Sequence, residues 1–531
     1  NNIYFAQPTI AETDPENPTK LLSHTSLLPS TARLYNYTYE GVIYADILVI
    51  FRNKEDEIQQ RLYLEKVEIC RMPIMLHSNV CYLNNKSDQF RKDAGECSFE
   101  KGGYFIIGGQ EKVVVSEEKR CYNRIIVHKE LEGDWIAEIL STDDMQTKEP
   151  RWCKLILDAK TGCIKVDMSY FQMYIPLCIL FRALGAVSDK EIMEIIFNAP
   201  VETVNPNLLE LLRPSILEAG RVFNQQMALK FMKMFIKKCE NTQTIMAFIT
   251  RFLFPHTGPS ISKKTLFLGY MTKELLKTKI GMIPPTDRDN LSYKRINLPG
   301  TIIANLFRMC YETFVKQARA RIETEYRKNF KSIKDDNSLI LKTLFDNITY
   351  IFNNQDFSDE INKSFRGKWG DKTTMVGVVQ QINRLSYIGS ISHIRRFILD
   401  IKLKLSLPRR LHTSQWGKVC PTETPDGSEI GCQKHISIMS IVSQKVSSVD
   451  LKEKIFQNLG IIDIEYIDIA EFGLTKTLLN NNYINLKGPD KNSKGAPTTN
   501  YLSKVFLNGV WIGLVGEPIE FVDKCRLLRR Y

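Results

Sequence analysis

The hydrophobic period of this chain changes near Leu177, and that change limits the folds open to it. From Tyr35 onward, apolar residues fall at alternate positions in YNYTYEGVIYADILVIF and LYLEKVEICRMPIML, which reads as strand. YFIIGG followed by EKVVVS is a hairpin with Gly108-Gly109 at its turn, and WCKLILDAKTGCIKVDM is another around Lys160-Thr161-Gly162. RIIVHKEL and DWIAEIL add two more strands. After Leu177 the spacing becomes helical. CILFRALGAV is a buried helix closed by Gly185, and Ser188 is expected to cap SDKEIMEIIF, with Glu191 at the capping-box position. VFNQQMALKFMKMFIKKC, KKTLFLGYMTKELLKT and residues 301–333 continue the helical pattern. Strands and helices are segregated more than alternated, so the fold class is α+β, in several modules of mixed sheet and helix. Residues 1–30 read as a polar surface arm and 480–500 as a flexible polar loop. A last hairpin, YLSKVFLNGVWIGLV, turns at Asn508-Gly509.

Charge is distributed unevenly. Between Ile361 and Cys420 stand twelve Lys and Arg against only Asp371 and Asp400, a balance of +10 in 60 residues, out of +12 for the chain. A stripe of one sign on an otherwise balanced protein is the electrostatic footprint of a polyanionic partner, here a nucleic acid. A merely soluble basic face carries interspersed acids. No signal peptide and no apolar run of 18 residues is present, so a membrane role is not expected. The 12 cysteines are scattered without a C-x-x-C pair, which argues for reduced, buried thiols in an intracellular, reducing compartment and against a zinc ribbon.

Catalytic constellations are missing. There is no Walker-type phosphate loop and no H-E-x-x-H. Asp287 and Asp289 have a spacing suited to Mg²⁺, but Arg288, Lys294 and Arg295 favour a salt-bridged loop. The residues alone therefore describe a nucleic-acid-binding scaffold without a catalytic centre of its own.

QINRLSYIGSISHIRR (381–396) and LPRRLHTSQWGKVCPTETPDGSEIGCQKHISIMSIVS (407–443) closely resemble the fork of the second-largest subunit of multisubunit DNA-directed RNA polymerases, β in bacteria. GECSFEKGGYFIIGGQEKVVVSEE resembles the protrusion, IPLCILFRALGAVSDKEI and PPTDRDNLSYKR the lobe, and VFLNGVWIGL the first external domain. The resemblance spans nearly all 531 residues but only about half of a family member. With no Met at its start, the chain is expected to be part of something longer. The implied domains are a first protrusion part (1–131), a lobe (132–297), a helical second protrusion part (298–354), a fork (355–443) and an external domain (444–531).

The resemblance also implies roles. Ser390, His393, Arg395 and Arg396 would lie near the backbone of the RNA–DNA hybrid, and Arg409 near the incoming nucleotide, with Arg410, Lys402 and Lys404 adding charge. Glu423 and Asp426 would order the fork through arginine pairs. The loop FILDIKLKLSL replaces the family's G-R-D-G-K tip, and Arg410 stands where Gln is usual. The implied partners are the largest polymerase subunit and the other subunits, the C-terminal part of the second-largest subunit, the DNA template and the RNA transcript. Mg²⁺ would serve the assembled polymerase without being bound by this chain, and a zinc site would belong to the C-terminal half. The chain alone would be inactive. Its Asn-, Lys- and Ile-rich composition points to a large nucleocytoplasmic DNA virus, hence a nucleus or a cytoplasmic viral factory or virion. The alternative is a stand-alone nucleic-acid-binding regulator or decoy.

Overall fold

The computed structural model describes all residues except 1–2, 15–16, 53–57, 144–149, 170, 199–200, 236–241, 333–354, 370–376, 400–405, 444–447, 460, 464–502 and 531. The chain divides into two compact units, Asn1–Lys119 with Arg295–Val442, and Arg120–Lys294 with Ser443–Tyr531. The strand Ile125–Lys129 pairs along its length with Trp135–Ser141, which places it in the second of these units.

In the first unit the hairpin Phe105–Ile107 and Gln110–Val114 is central. Gly108 and Gly109 have φ of +56° and +76°, the type I′ turn expected for two glycines between strands. A Cβ on Gly109 would also lie 2.5 Å from Asn36 Oδ1, so no other residue fits there. Alternation buries both faces of this hairpin. Tyr104, Ile106, Val113 and Val115 enter a core with Tyr39, Ile74 and Leu83. Phe105, Ile107 and Val114 face a second core. Two helices build that second core. Pro299–Ser332 presents Ile302, Leu306, Cys310 and Phe314 every fourth residue, and Gln355–Phe365 presents Phe357, Ile361 and Phe365.

The expected surface arm is instead strand. Ile3–Ala6 pairs antiparallel with Glu40–Arg52, which pairs with Ile58–Pro73, and Thr9–Asp14 pairs with Asn17–Ser26. Ile3–Ala6 is largely exposed, so its pairing leaves no apolar alternation to read.

The second unit holds a five-stranded antiparallel sheet in the order Ile175–Pro176, Ile164–Met168, Arg151–Leu157, Trp135–Ser141, Ile125–Lys129. Helices Leu177–Ala183, Asp189–Phe197, Pro206–Glu218, Gln225–Lys233, Thr242–Phe252 and Ile261–Ile280 share its core. Ser188 occupies the N-cap position of Asp189–Phe197 but its side chain makes no cap hydrogen bond. The first-turn Asp189 accepts from the buried Arg182 at 2.6 Å. The hairpin Ser503–Leu507 and Val510–Val515 turns at Asn508-Gly509 as expected. The loop expected over 480–500 lies outside the described residues.

Candidate nucleic-acid interface

The basic segment folds against the central hairpin of the first unit. Val379–Gln381 adds a strand to Gln110–Val114, and Arg396–Leu399 runs parallel to Ser116–Arg120 and antiparallel to Gln433–His435. Between these strands lies the helix Tyr387–Ile394, capped by Ser386, whose Oγ accepts from Gly389 N at 3.0 Å.

Ser390 and His393, expected to face a nucleic-acid backbone, are only 5% and 4% exposed. Both fold the loop that leads into the helix. Ser390 Oγ donates to Asn383 O at 2.7 Å, while Asn383 N donates to His393 Nδ1 at 3.0 Å. An Nδ1 that accepts from a backbone N–H carries no proton, so Nε2 is the donor, directed to Gln380 Oε1 at 3.0 Å. Burial, reinforced by Arg396 and His435, lowers the pKa of His393 to about 4, which keeps the ring neutral at physiological pH. A neutral, buried imidazole neutralises no phosphate.

The two arginines that follow are also engaged internally. Arg395 Nη2 donates to Ser437 O at 2.6 Å, Ser440 O at 3.0 Å and Ile438 O at 3.4 Å, stapling the 437–440 turn. Arg396 Nε donates to His435 Nε2 at 3.1 Å, and burial pulls the Arg396 pKa below its usual value. Among the described residues Glu423 does not form the expected arginine pair. It accepts from Ser392 Oγ, and its Oε1 lies 3.6 Å from His435 Nε2. Asp426 precedes the short 3-10 turn Gly427–Glu429 and gives it no side-chain cap.

Arg409 and Arg410 sit at the end of another 3-10 turn, Leu407–Arg409. Arg409 is half-buried and its Nη1 donates to Ser428 O at 2.6 Å. Gly431 permits this approach: its φ is +71°, and a Cβ there would collide with Arg409 O. Arg410 is exposed, as are Lys418 and, at 76%, Trp416. Lys402 and Lys404 lie outside the described residues.

The sequence reading missed the anchor of this segment. Arg384 Nε donates to Glu111 Oε2 at 2.7 Å and its Nη2 to Glu100 Oε2 at 3.2 Å, with the guanidinium 4.9 Å from the Tyr104 ring centre. Arg33 Nε donates to the other oxygen of Glu111 at 2.8 Å and Nη1 to Glu96 at 2.7 Å. Burial would raise the Glu111 carboxyl, but Arg384 and Arg33 outweigh it and hold it below the usual range. The only sequence signal for this was a glutamate opening the apolar run EKVVV, where alternation alone asks for nothing charged.

Among the described residues no three His, Cys, Asp or Glu side chains converge as metal ligands. Asp287 Oδ1 accepts from Asp289 N at 3.0 Å, and Asp289 lies 3.9 Å from Lys294 Nζ.

The arrangement can present cations on an internally bonded scaffold. The family model described as "RNA polymerase beta subunit" matches residues 1–345, and that for "RNA polymerase Rpb2, domain 3" matches 378–442. The chain is 29% identical to DNA-directed RNA polymerase II subunit 2 of Arabidopsis thaliana, over 99% of this chain and 42% of that protein. It is 30% identical to subunit RPB2 of Schizosaccharomyces pombe over 99% of this chain and 42% of the relative. With subunit Rpo2 of Saccharolobus solfataricus the identity is 28%, over 99% and 43%. The chain thus spans about two-fifths of the length of the curated relatives it matches.

Proposed function

The chain belongs to the RNA polymerase β-subunit family, and from that premise we propose that it works as the N-terminal part of the second-largest subunit of a DNA-dependent RNA polymerase. In this role it holds DNA and the RNA–DNA hybrid beside the active centre. One observation carries the reading: the basic segment is folded onto a scaffold whose internal bonds leave Arg410 and Lys418 facing solvent. Exposed cations on a rigid support neutralise phosphates and read no sequence. Arg409, Lys402 and Lys404 extend the same cationic set. Ser390, His393, Arg395 and Arg396 act one step back, by fixing the surface that carries it, and Glu423 and Asp426 order the turn beside it.

The chemistry of the assembled enzyme is template-directed nucleotidyl transfer, with Mg²⁺ activating the RNA 3′-OH and stabilising the departing pyrophosphate. Those ions are held outside this chain, by the largest subunit, and a zinc site belongs to the C-terminal part. The work takes place where the template is, in a nucleus or a viral factory.

Affinity capture of the tagged chain from its native source, followed by mass spectrometry, tests this. Recovery of a largest subunit together with the C-terminal part of the second-largest subunit is expected. The purified chain is expected to incorporate no labelled nucleotide with Mg²⁺ and a primed template. Recovery of the chain alone, still binding single-stranded DNA, would move the assignment to a stand-alone binding protein.

A further inference from the structure

The last hairpin of the second unit reaches the helical core through a lysine. Its strand Ser503–Leu507 pairs with Val510–Val515, whose Trp511 and Leu514 belong to the core shared by the sheet and the helices. Lys504 stands in a box of rings. Its Nζ lies 4.1 Å from the ring centre of Tyr270 and 4.5 Å from that of Trp511. Phe506 completes the box, 5.4 Å from Tyr270 and 6.2 Å from Trp511 between ring centres. The same ammonium group reaches the C-terminal end of the helix Asp189–Phe197. Asn198 ends that helix at φ +51°; its amide nitrogen donates to Ile195 O at 3.1 Å, and its Oδ1 accepts from Lys504 Nζ at 3.0 Å. Phe197 O, next to it, accepts from Lys273 Nζ.

Ring faces and a helix C-terminus both attract a cation. Burial and crowding work against them. The helix Ile261–Ile280 sets Lys273, Lys277 and Glu274 within electrostatic range of Lys504, two ammonium groups against one carboxylate. The 3-10 turn Pro255–Thr257 also packs on the hairpin, but its His256 is bonded to Ser141. Asp463, on the neighbouring strand Ile462–Asp463, is in register with Gly513, one row from Lys504. Burial first, and then Lys273, lowers the pKa of Lys504 from 10.5 to about 7. The seated side chain therefore favours the neutral amine, which the Asn198 carbonyl and the rings still accommodate.

We propose that Lys504 makes the seating of this hairpin a pH-sensitive clasp, closed with the neutral amine in its box of rings and loosened when that amine takes up a proton. The clasp lies within the second unit and does not rest on the function proposed above. When the hairpin leaves the box, Lys504 returns to water and binds a proton that the seated amine refuses. Seating is therefore weakest, and level, below about pH 7, and it strengthens as pH rises from there towards the ordinary lysine range.

The test is hydrogen exchange of the full chain read by mass spectrometry, at about pH 7 and about pH 9, with protection factors corrected for the intrinsic rate at each pH. Wild-type protection of residues 503–515 is expected to rise at least tenfold between the two, since one proton per opening permits at most about a hundredfold over two pH units. Lys504→Met keeps the length of the side chain and has nothing to titrate, and is expected to lose most of that rise. No rise in the wild type, or an equal rise in Lys504→Met, overturns the proposal. If Lys504→Met does not fold, Lys504→Arg takes its place. It carries its charge at both pH values, so its protection is expected to stay level and below that of the wild type at the higher pH. A rise in Lys504→Arg equal to that of the wild type overturns the clasp.

Discussion

His393 shows how a residue type can mislead at the smallest scale. A histidine in a basic segment suggests a cation, yet this one accepts a backbone hydrogen bond at Nδ1 and is buried. Its pKa falls from 6.5 to about 4 on folding. Between those values the unfolded chain takes up a proton that the folded chain refuses, so stability falls as pH drops from about 6.5 to 4 and levels off below. His393→Ala lacks this term. The stability gap between wild type and His393→Ala, measured by urea unfolding, is therefore expected to narrow as pH falls through that window; a constant gap would contradict a ring held neutral by the fold. Glu111 is the second residue with more to do than its position suggests, because it bridges Arg33 and Arg384. Glu111→Gln keeps the shape and removes the charge. It is expected to cost about 1.5–3 kcal/mol of stability in urea unfolding, the range for hydrogen bonds to charged groups.

At the scale of elements, the basic segment holds together through turns more than through long strands. The guanidinium of Arg395 donates to three carbonyls of the 437–440 turn, beside the bonds Ser437 N to Lys418 O and Ser440 Oγ to Gly417 O. Arg395→Ala is expected to speed hydrogen exchange at the Ser437 and Ser440 amides, while the strand Phe105–Ile107, buried on both faces, stays protected. Gly431→Ala attacks the neighbouring turn differently. A side chain at φ +71° is strained, and its Cβ would collide with Arg409 O. A loss of more than about 2 kcal/mol is expected from strain and clash together, read as a lowered melting temperature. The same elements mark what was legible beforehand. The pairs Gly108-Gly109 and Asn508-Gly509 named their turns, because only residues tolerant of positive φ close a two-residue hairpin. The strand Ile3–Ala6 did not announce itself, since an exposed strand held by backbone bonds has no apolar alternation.

At the scale of the whole molecule, the uneven charge has a measurable consequence. Each exposed cation that meets a phosphate releases a counterion, so the slope of log affinity against log salt counts such contacts. Arg410→Ala and Lys418→Ala are each expected to reduce that slope by about 0.7–0.9 for single-stranded or duplex nucleic acid bound by the chain. Arg396→Ala, whose guanidinium is bonded to His435, is expected to leave the slope nearly unchanged and to act on stability. Equal slopes for Arg410→Ala, Lys418→Ala and wild type would remove these two cations from the interface. The sequence by itself determined the α+β class, the hairpins, the main helices and the segment that carries the charge, because periodicity, turn chemistry and net charge are local properties of the chain. Only the tertiary structure decided which cations of that segment remain for a partner and which hold the fold. Ser390, His393, Arg395 and Arg396 are recruited by groups 7 to 45 residues away, such as Asn383, His435 and Ser440, and Arg384 by Glu111, 273 residues away. Those pairings depend on proximity in space, and spacing along the chain carries no record of it.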